Sequence, residues 1–129
     1  MPKLTRVAPE IPVANLEESL TYYQTRLGFE VAMKTPEGDY AIVERDDVAL
    51  HLFQDKIKSR SPVSIHIFAM GLDELFSELQ RQHAQVVQSI VRQPWGNRDF
   101  RITDPAGNEI KFTEPLAEDE SLGISSSFS

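Results

Sequence analysis

The residues able to do chemistry are few. The chain has three histidines and no cysteine, so neither disulfides nor thiolate metal sites are possible and any metal must be held by imidazole and carboxylate. His51 in "VALHLFQ" and His66 in "VSIHIFAM" fall in strand-like runs, and with Glu10 or Glu109 they would make an improvised two-histidine site. Histidines in such places more often serve as hydrogen-bonding groups in a cleft. No Gly-rich phosphate loop or Ser-centred nucleophile elbow occurs, and no predicted strand face carries a purposeful pair of carboxylates. No reaction, and no cofactor, is read from these residues. A different kind of chemistry is suggested by "RQPWGNRDFRITDPAGNEIKF", Arg92 to Phe112, which holds the single tryptophan. Pro94 and Gly96 form a stiff, low-profile turn that can present the Trp95 indole at a rim for stacking, since an exposed aromatic is costly unless it meets a partner. The competing role for Trp95 is a hydrophobic plug at a sheet edge.

The elements that must position these groups follow from periodicity. Asn15 followed by Glu18 is a capping-box pattern, and Leu16, Leu20, Tyr23 and Leu27 recur at helical spacing, predicting a helix over 16–27 that Gly28 stops. "FEVAMK", "DYAIVER" and "VALHLFQ" then read as strands, the last two joined at an Asp46-Asp47 turn. After a polar linker from Lys56 to Pro62 the order returns, with "VSIHIFAM" as strand, "LDELFSELQRQ" as helix, and "AQVVQSI", "DFRIT" and "EIKF" as strands. Adding 56 carries Ile11, Val13, Leu16, Leu20 and Tyr23 onto Ile67, Ala69, Leu72, Phe76 and Leu79. The last strands align at 60 instead, pairing Leu50 and Leu52 with Ile110 and Phe112, so about four extra residues fall in the loop around Gln93, Pro94 and Trp95. The chain is therefore an α+β domain over 1–114, built from two tandem βαβββ modules at about 4–56 and 62–114, with a mobile tail expected over 115–129.

One helix covers one face of each sheet, so the other face is left to line a cleft. Period-two alternation turns Val48, Leu50 and Leu52 toward the helix and leaves Ala49, His51 and Phe53 on the concave side. Ser64, His66 and Phe68 join them, as do Glu109, Lys111 and Thr113, opposite the inward Ile110 and Phe112. A polar and aromatic lining of this kind suits a ligand.

Composition narrows the partner. The 129 residues suit one domain, and no apolar run reaches the roughly 18 residues that a membrane span needs. "MPKLTRVAPE" lacks the apolar core of a secretory signal, so a cytoplasmic location is expected. A net charge of -7 without a Lys/Arg cluster argues against nucleic acid and in favour of a cationic small molecule. Asp39, Glu44, Asp46, Asp47, Asp99 and Glu109 are the acids available to draw it, each, taken singly, more readily read as a solvated surface charge.

With these features together, the chain resembles the glyoxalase/bleomycin resistance/dioxygenase (vicinal oxygen chelate) superfamily over about Lys3 to Glu114. "VANLEESLTYYQTRLGFEV" and "DPAGNEIKF" carry the general likeness. "VERDDVAL", "GLDELFSEL" and "QPWGNRDFRITDPAGN", with Pro9, are similar to its antibiotic-binding bleomycin-resistance members. The superfamily's enzymes hold a divalent metal at four strand positions, which fall here on Ala8, His51, Ser64 and Lys111. Only His51 suits a metal, and Lys111 would place an ammonium against it. The resemblance implies a non-enzymatic protein that sequesters a bleomycin-type glycopeptide or another flat cationic compound, without a metal. It implies Trp95, beside Gly96, stacking on the ligand together with Tyr40 of a partner subunit, at a position where the group usually shows Phe. His66 and Phe68 stand where the group has cleft tryptophans. His51, Phe53 and Lys111 complete the expected lining. A homodimer that exchanges its first strand at Pro9 is also implied, and Pro9 and Pro12 would stiffen that strand. The alternatives are a metal-dependent lyase or dioxygenase of the same fold, or a binder of another small metabolite.

Overall fold

The computed structural model describes residues 2–55 and 61–115. Most of the predicted linker, and the predicted tail beyond Pro115, lie outside the described residues. The order is β1 (Glu10–Val13), α1 (Leu16–Thr25), β2 (Glu30–Lys34), β3 (Tyr40–Arg45), β4 (Val48–Gln54), then β5 (Ser64–Phe68), α2 (Leu72–Arg81), β6 (Gln85–Arg92), β7 (Arg98–Thr103) and β8 (Glu109–Glu114). Each module makes a four-stranded mixed sheet, in the orders β1-β4-β3-β2 and β5-β8-β7-β6. The internal repeat is therefore a repeat of topology, with the first and last strands of each module paired in parallel.

Local chemistry accounts for the element ends. The Asn15 side chain accepts from the Glu18 backbone N–H at 3.0 Å, satisfying one of the helix's orphan donors. Helix α1 stops at Thr25, two residues before the predicted end. The Arg26 N–H closes the last turn on the Tyr22 carbonyl at 2.8 Å, and Gly28, at φ +77°, lets the Phe29 N–H return to the Tyr23 carbonyl at 2.9 Å. Leu27 still packs inward from this turn, 1% exposed, which is why periodicity placed it on the helix. The Asp46-Asp47 turn joins β3 to β4 with Arg45 opposite Val48. Strands β6 and β8 run two residues beyond their predicted ends, because pairing continues to Arg92 and Glu114 after the apolar pattern has ceased. Among the described residues no helix is long and apolar enough to cross a membrane.

One core serves both modules. Leu16, Leu20 and Tyr23 from α1, Leu50 and Leu52 from β4, Leu72 and Leu79 from α2, and Phe100, Ile102 and Ile110 from the second sheet are all buried. The stripes predicted to face the helices supply this core, with Val48 and Phe76 half-buried at its margin. Phe100 stacks on Phe112 at 5.2 Å and meets Phe76 edge-on at 5.0 Å, arrangements aromatic rings favour. Polar ties between the modules run through the two general family-like motifs. Tyr22 Oη donates to the Thr103 carbonyl at 2.8 Å and accepts from the Gln85 N–H at 2.7 Å, while Asn108 Nδ2 donates to the Pro12 carbonyl at 2.7 Å. Arg45 and Glu78 add a two-pronged pair at 2.7 and 2.9 Å.

Candidate functional site

On the first sheet, alternation leaves Glu10, Tyr40, His51 and Phe53 on the face away from the core. Glu10 lies beside His51 in the parallel register, and Tyr40 lies opposite Phe53. The Tyr40 hydroxyl is 2.7 Å from Glu10 Oε2 and 2.7 Å from His51 Nδ1. A phenol has one proton; given to the carboxylate, it leaves the oxygen to accept from His51 Nδ1–H. In the neutral ring that leaves Nε2 with its lone pair. The bond to Glu10 also pushes the Tyr40 phenol above its ordinary pKa, so it stays protonated. Where a phenylalanine would turn freely, Tyr40 is anchored at its far end, with the His51 ring edge-on at 5.7 Å.

On the second sheet the corresponding row is His66, Lys111 and Arg101, neighbours across β5, β8 and β7. His66 Nδ1 lies 3.2 Å from Thr113 Oγ1, and its ring is 6.0 Å from that of Phe68. Although much of His66 is open, partial burial and then the Lys111 charge lower its pKa, which favours the neutral ring. Thr113, expected to line the cleft openly, is buried, only 5% exposed, on the strand between β5 and β7.

Trp95 sits on the turn between β6 and β7 and is 68% exposed. The turn is braced by Gly96 N–H to the Gln93 carbonyl at 2.8 Å and by Gln93 N–H to the Asn97 carbonyl at 2.7 Å. Arg92 Nη1 reaches the Gly96 carbonyl at 2.7 Å. Gly96 has φ +106°, a conformation side-chain-bearing residues resist. None of the ring pairs among the described residues includes Trp95. Phe68, 42% exposed, is the other open aromatic of this module.

The candidate acids separate into different environments. Asp99 is 4% exposed and capped by Gln88 and Gln93 amides at 2.8 and 3.0 Å, so it does not present a free charge. Glu109 lies 3.7 Å from Arg101 Nη1. Asp46 and Asp47 edge a cavity of about 450 Å³ between the β3–β4 turn and the start of α2, and of the expected cleft residues only Phe68 reaches it. This cavity is distinct from the open faces of the two sheets, where the chemistry-bearing rows lie and which, with Trp95, are the candidate ligand surface.

The four residues that the resemblance sets at metal positions lie as follows. Ala8 precedes β1, while His51, Ser64 and Lys111 lie on β4, β5 and β8. Among the described residues no three of His, Cys, Asp and Glu gather where they could hold one ion. Glu10 and His51, neighbours in register, both engage the Tyr40 hydroxyl, and Glu109 is turned to Arg101 and to Ser64 Oγ at 3.2 Å. Two residues that sequence reasoning underused are Arg101 and Gln93. The inward Phe100 and Ile102 already assign Arg101 to the open face by alternation, whereas nothing in the sequence signalled that Gln93 would tie the Trp95 turn to Asp99.

Two four-stranded mixed sheets with one helix per module define a glyoxalase-type α+β protein. The chain belongs to the Glyoxalase/Bleomycin resistance protein/Dioxygenase superfamily, whose family model matches residues 3–112. It is 28% identical to the bleomycin resistance protein of Geobacillus stearothermophilus, over 84% of this chain and 95% of the relative. Its fold is shared with the Streptomyces verticillus bleomycin-binding protein solved with copper(II)-bleomycin, at 24% identity and a TM-score of 0.77, over 90% and 100% of the two chains. It is shared as well with the lactoylglutathione lyase of Agrobacterium tumefaciens, at 21% identity and a TM-score of 0.71, over 88% and 96%.

Proposed function

We propose that this protein binds and sequesters a bleomycin-type antibiotic, or a similarly flat compound, without transforming it. The observation that carries this reading is the 68% exposure of Trp95 on a hydrogen-bonded turn that holds the indole away from the core. A planar heteroaromatic between that indole and a second ring would bury both of its faces. Tyr40, fixed by Glu10 and His51, supplies the second ring. His51, Phe53, His66, Phe68, Gly96 and Lys111 form the remaining surface. The likeness to a bleomycin resistance protein and to a bleomycin-binding fold supports this choice of ligand. Calorimetric titration with metal-free and copper-loaded bleomycin tests it: saturable binding is expected, and no heat of binding for either form would overturn it.

The cleft is proposed to be completed by a second copy, with Tyr40 from one chain facing Trp95 of the other. Residues 2–9 precede β1 outside any regular element, and their Leu4 and Val7 are 100% and 92% exposed, apolar surface that a partner would cover. Pro9 begins the paired region, its carbonyl accepting from the His51 N–H at 3.0 Å. Exchange of the segment around Pro9 would place the two exposed side chains on the neighbour. Sedimentation at micromolar concentration should therefore give a dimer. A monomer that still binds the ligand would refute the shared cleft.

The rival reading, a metal-dependent lyase or dioxygenase, is favoured by the lyase among the solved relatives. Against it stand Ala8, Ser64 and Lys111 at three of the four corresponding positions, since metal catalysis needs several ligands converging on one ion. Added zinc, nickel or manganese should leave thermal stability nearly unchanged. A tight native-state ion at 100 times its dissociation constant would add about 2.7 kcal/mol, and a shift of that size would restore the enzyme reading.

A further inference from the structure

We infer that the open face of the second module takes flat compounds that carry an oxyanion, a carboxylate or sulfonate attached to the planar body, with Lys111, Arg101 and His66 receiving it. This rests on the proposed use of the concave faces as the ligand cleft, and it narrows the class of flat compound. Although the chain as a whole is acidic at -7, two of its cations stand directly opposite one another here, Lys111 on β8 and Arg101 on β7. Like charges at directly opposed sheet positions are destabilising, so an arrangement that keeps them together needs an anion or some other compensation. The protein supplies little. Lys111 makes no ion pair or side-chain hydrogen bond among the described residues. Arg101 has one carboxylate neighbour, Glu109, at 3.7 Å, beyond hydrogen-bonding distance. Its Nε is buried with no partner, an unsatisfied donor of the kind that proteins normally pair. Asp99, the other acid of this face, is turned to Gln88 and Gln93 and is buried.

His66 completes the row on the far side of Lys111. With Nδ1 occupied by Thr113, its Nε2 is the ring atom left for a ligand. The opposite module differs in sign: its row is Glu10 and His51 with the Tyr40 hydroxyl, an acidic and aromatic surface. The two faces thus differ: one carries a carboxylate with aromatic groups, and the other an opposed Lys111–Arg101 pair whose nearest acids, Glu109 and Asp99, are engaged elsewhere or only loosely. Arg101 lies three residues into β7 from Arg98, about 10 Å along the strand, so an aromatic group lying along the face between the Trp95 turn and this row would carry its oxyanion at one end.

Matched probes test this: biphenyl-4-carboxylate and the neutral biphenyl-4-carboxamide, titrated calorimetrically against the full chain alongside bleomycin. The carboxylate should bind roughly 10-fold or more tightly than the carboxamide, the scale of a charge-assisted contact, and Lys111→Gln and Arg101→Gln should each pull that ratio toward one. Biphenyl-4-sulfonate in a third arm should keep the preference if oxyanion charge is what is recognised. Equal affinity for carboxylate and carboxamide, or a preference untouched by either substitution, would overturn the inference. Bleomycin binding without carboxylate preference would remove the oxyanion and leave the sequestration reading standing. The converse result would keep the oxyanion site and remove the antibiotic.

Discussion

Trp95→Ala is expected to weaken a flat aromatic ligand by about 1–3 kcal/mol, roughly 5- to 150-fold in Kd, while leaving the protein nearly as stable. The two halves of that expectation separate a binding residue from a core residue. A Trp that plugs a core loses about 3–5 kcal/mol of stability when truncated, because the cavity it leaves is only partly refilled. Trp95 has little to lose in this way: it is 68% exposed and stacks on no ring of the described residues. The turn that carries it is held by backbone bonds at Gln93 and Gly96 and by Arg92, none of which uses the indole. Titration calorimetry with bleomycin gives the affinity and chemical denaturation gives the stability. Because the chain has a single tryptophan, its emission is an internal check: solvated in the free protein, shifted or quenched on binding. An alanine variant that binds normally, or one that is badly destabilised, would take the stacking role away from Trp95.

The fold was legible in the sequence to the extent that periodicity carried it. Leu50, Leu52, Ile110 and Phe112 recur every second residue and are the buried positions; Leu16, Leu20 and Tyr23 recur at helical spacing and are buried too. The repeat at offsets of 56 and 60 marked the two modules, but the excess does not fall on the Trp95 turn as expected: residues 93–97 match residues 35–39 in length, and the second module is longer in β6, eight residues against five in β2, and in the connection from β7 to β8. Ends were less legible. Leu27 follows the helical stripe but sits in the Gly28 turn, since inward packing persists after helical hydrogen bonding has stopped. Thr113 alternates toward the open face yet is buried, with its hydroxyl 3.2 Å from Nδ1 of His66, a partner 47 residues away that alternation does not reveal. The acids were the least legible. Sequence shows that Asp99 and Glu109 exist, but that one is capped by two glutamines and the other turned to Arg101 follows only from three-dimensional neighbours. Those neighbours change the electrostatic picture, because Asp99 is already engaged by two amides and Glu109 lies beside Arg101, so neither stands free for a cationic ligand.

The largest loss of stability should come from Asp104→Ala, in the motif "DPAGN" that links β7 to β8. Asp104 is 5% exposed, and its carboxylate accepts four hydrogen bonds. Oδ1 takes the backbone N–H groups of Ala106 and Asn108, both at 2.9 Å, and shapes the turn; Oδ2 takes Asn108 Nδ2 at 3.0 Å and the Tyr23 hydroxyl at 2.9 Å. Tyr23 is wholly buried on α1 of the other module, so alanine would strand a phenol that water cannot reach. Leaving a buried donor unsatisfied costs about 1–3 kcal/mol, and with several donors released together the loss should be at least about 3 kcal/mol. Tyr23→Phe, which removes the stranded phenol, should cost only about 1 kcal/mol by itself. In that background Asp104→Ala should be milder by a coupling of about 0.5–3 kcal/mol, as for residues sharing one network. Denaturant unfolding of the two single variants and the double variant reads this cycle. Strict additivity would mean that the two modules are not held together through this bond. The consequence reaches the cleft, because Asn108, oriented by Asp104, also holds the Pro12 carbonyl on β1. Glu10, two residues earlier on the same strand, is the carboxylate that anchors Tyr40. Loosening the turn should therefore weaken ligand binding as well as folding, although Asp104 itself faces the core side of the junction between the modules.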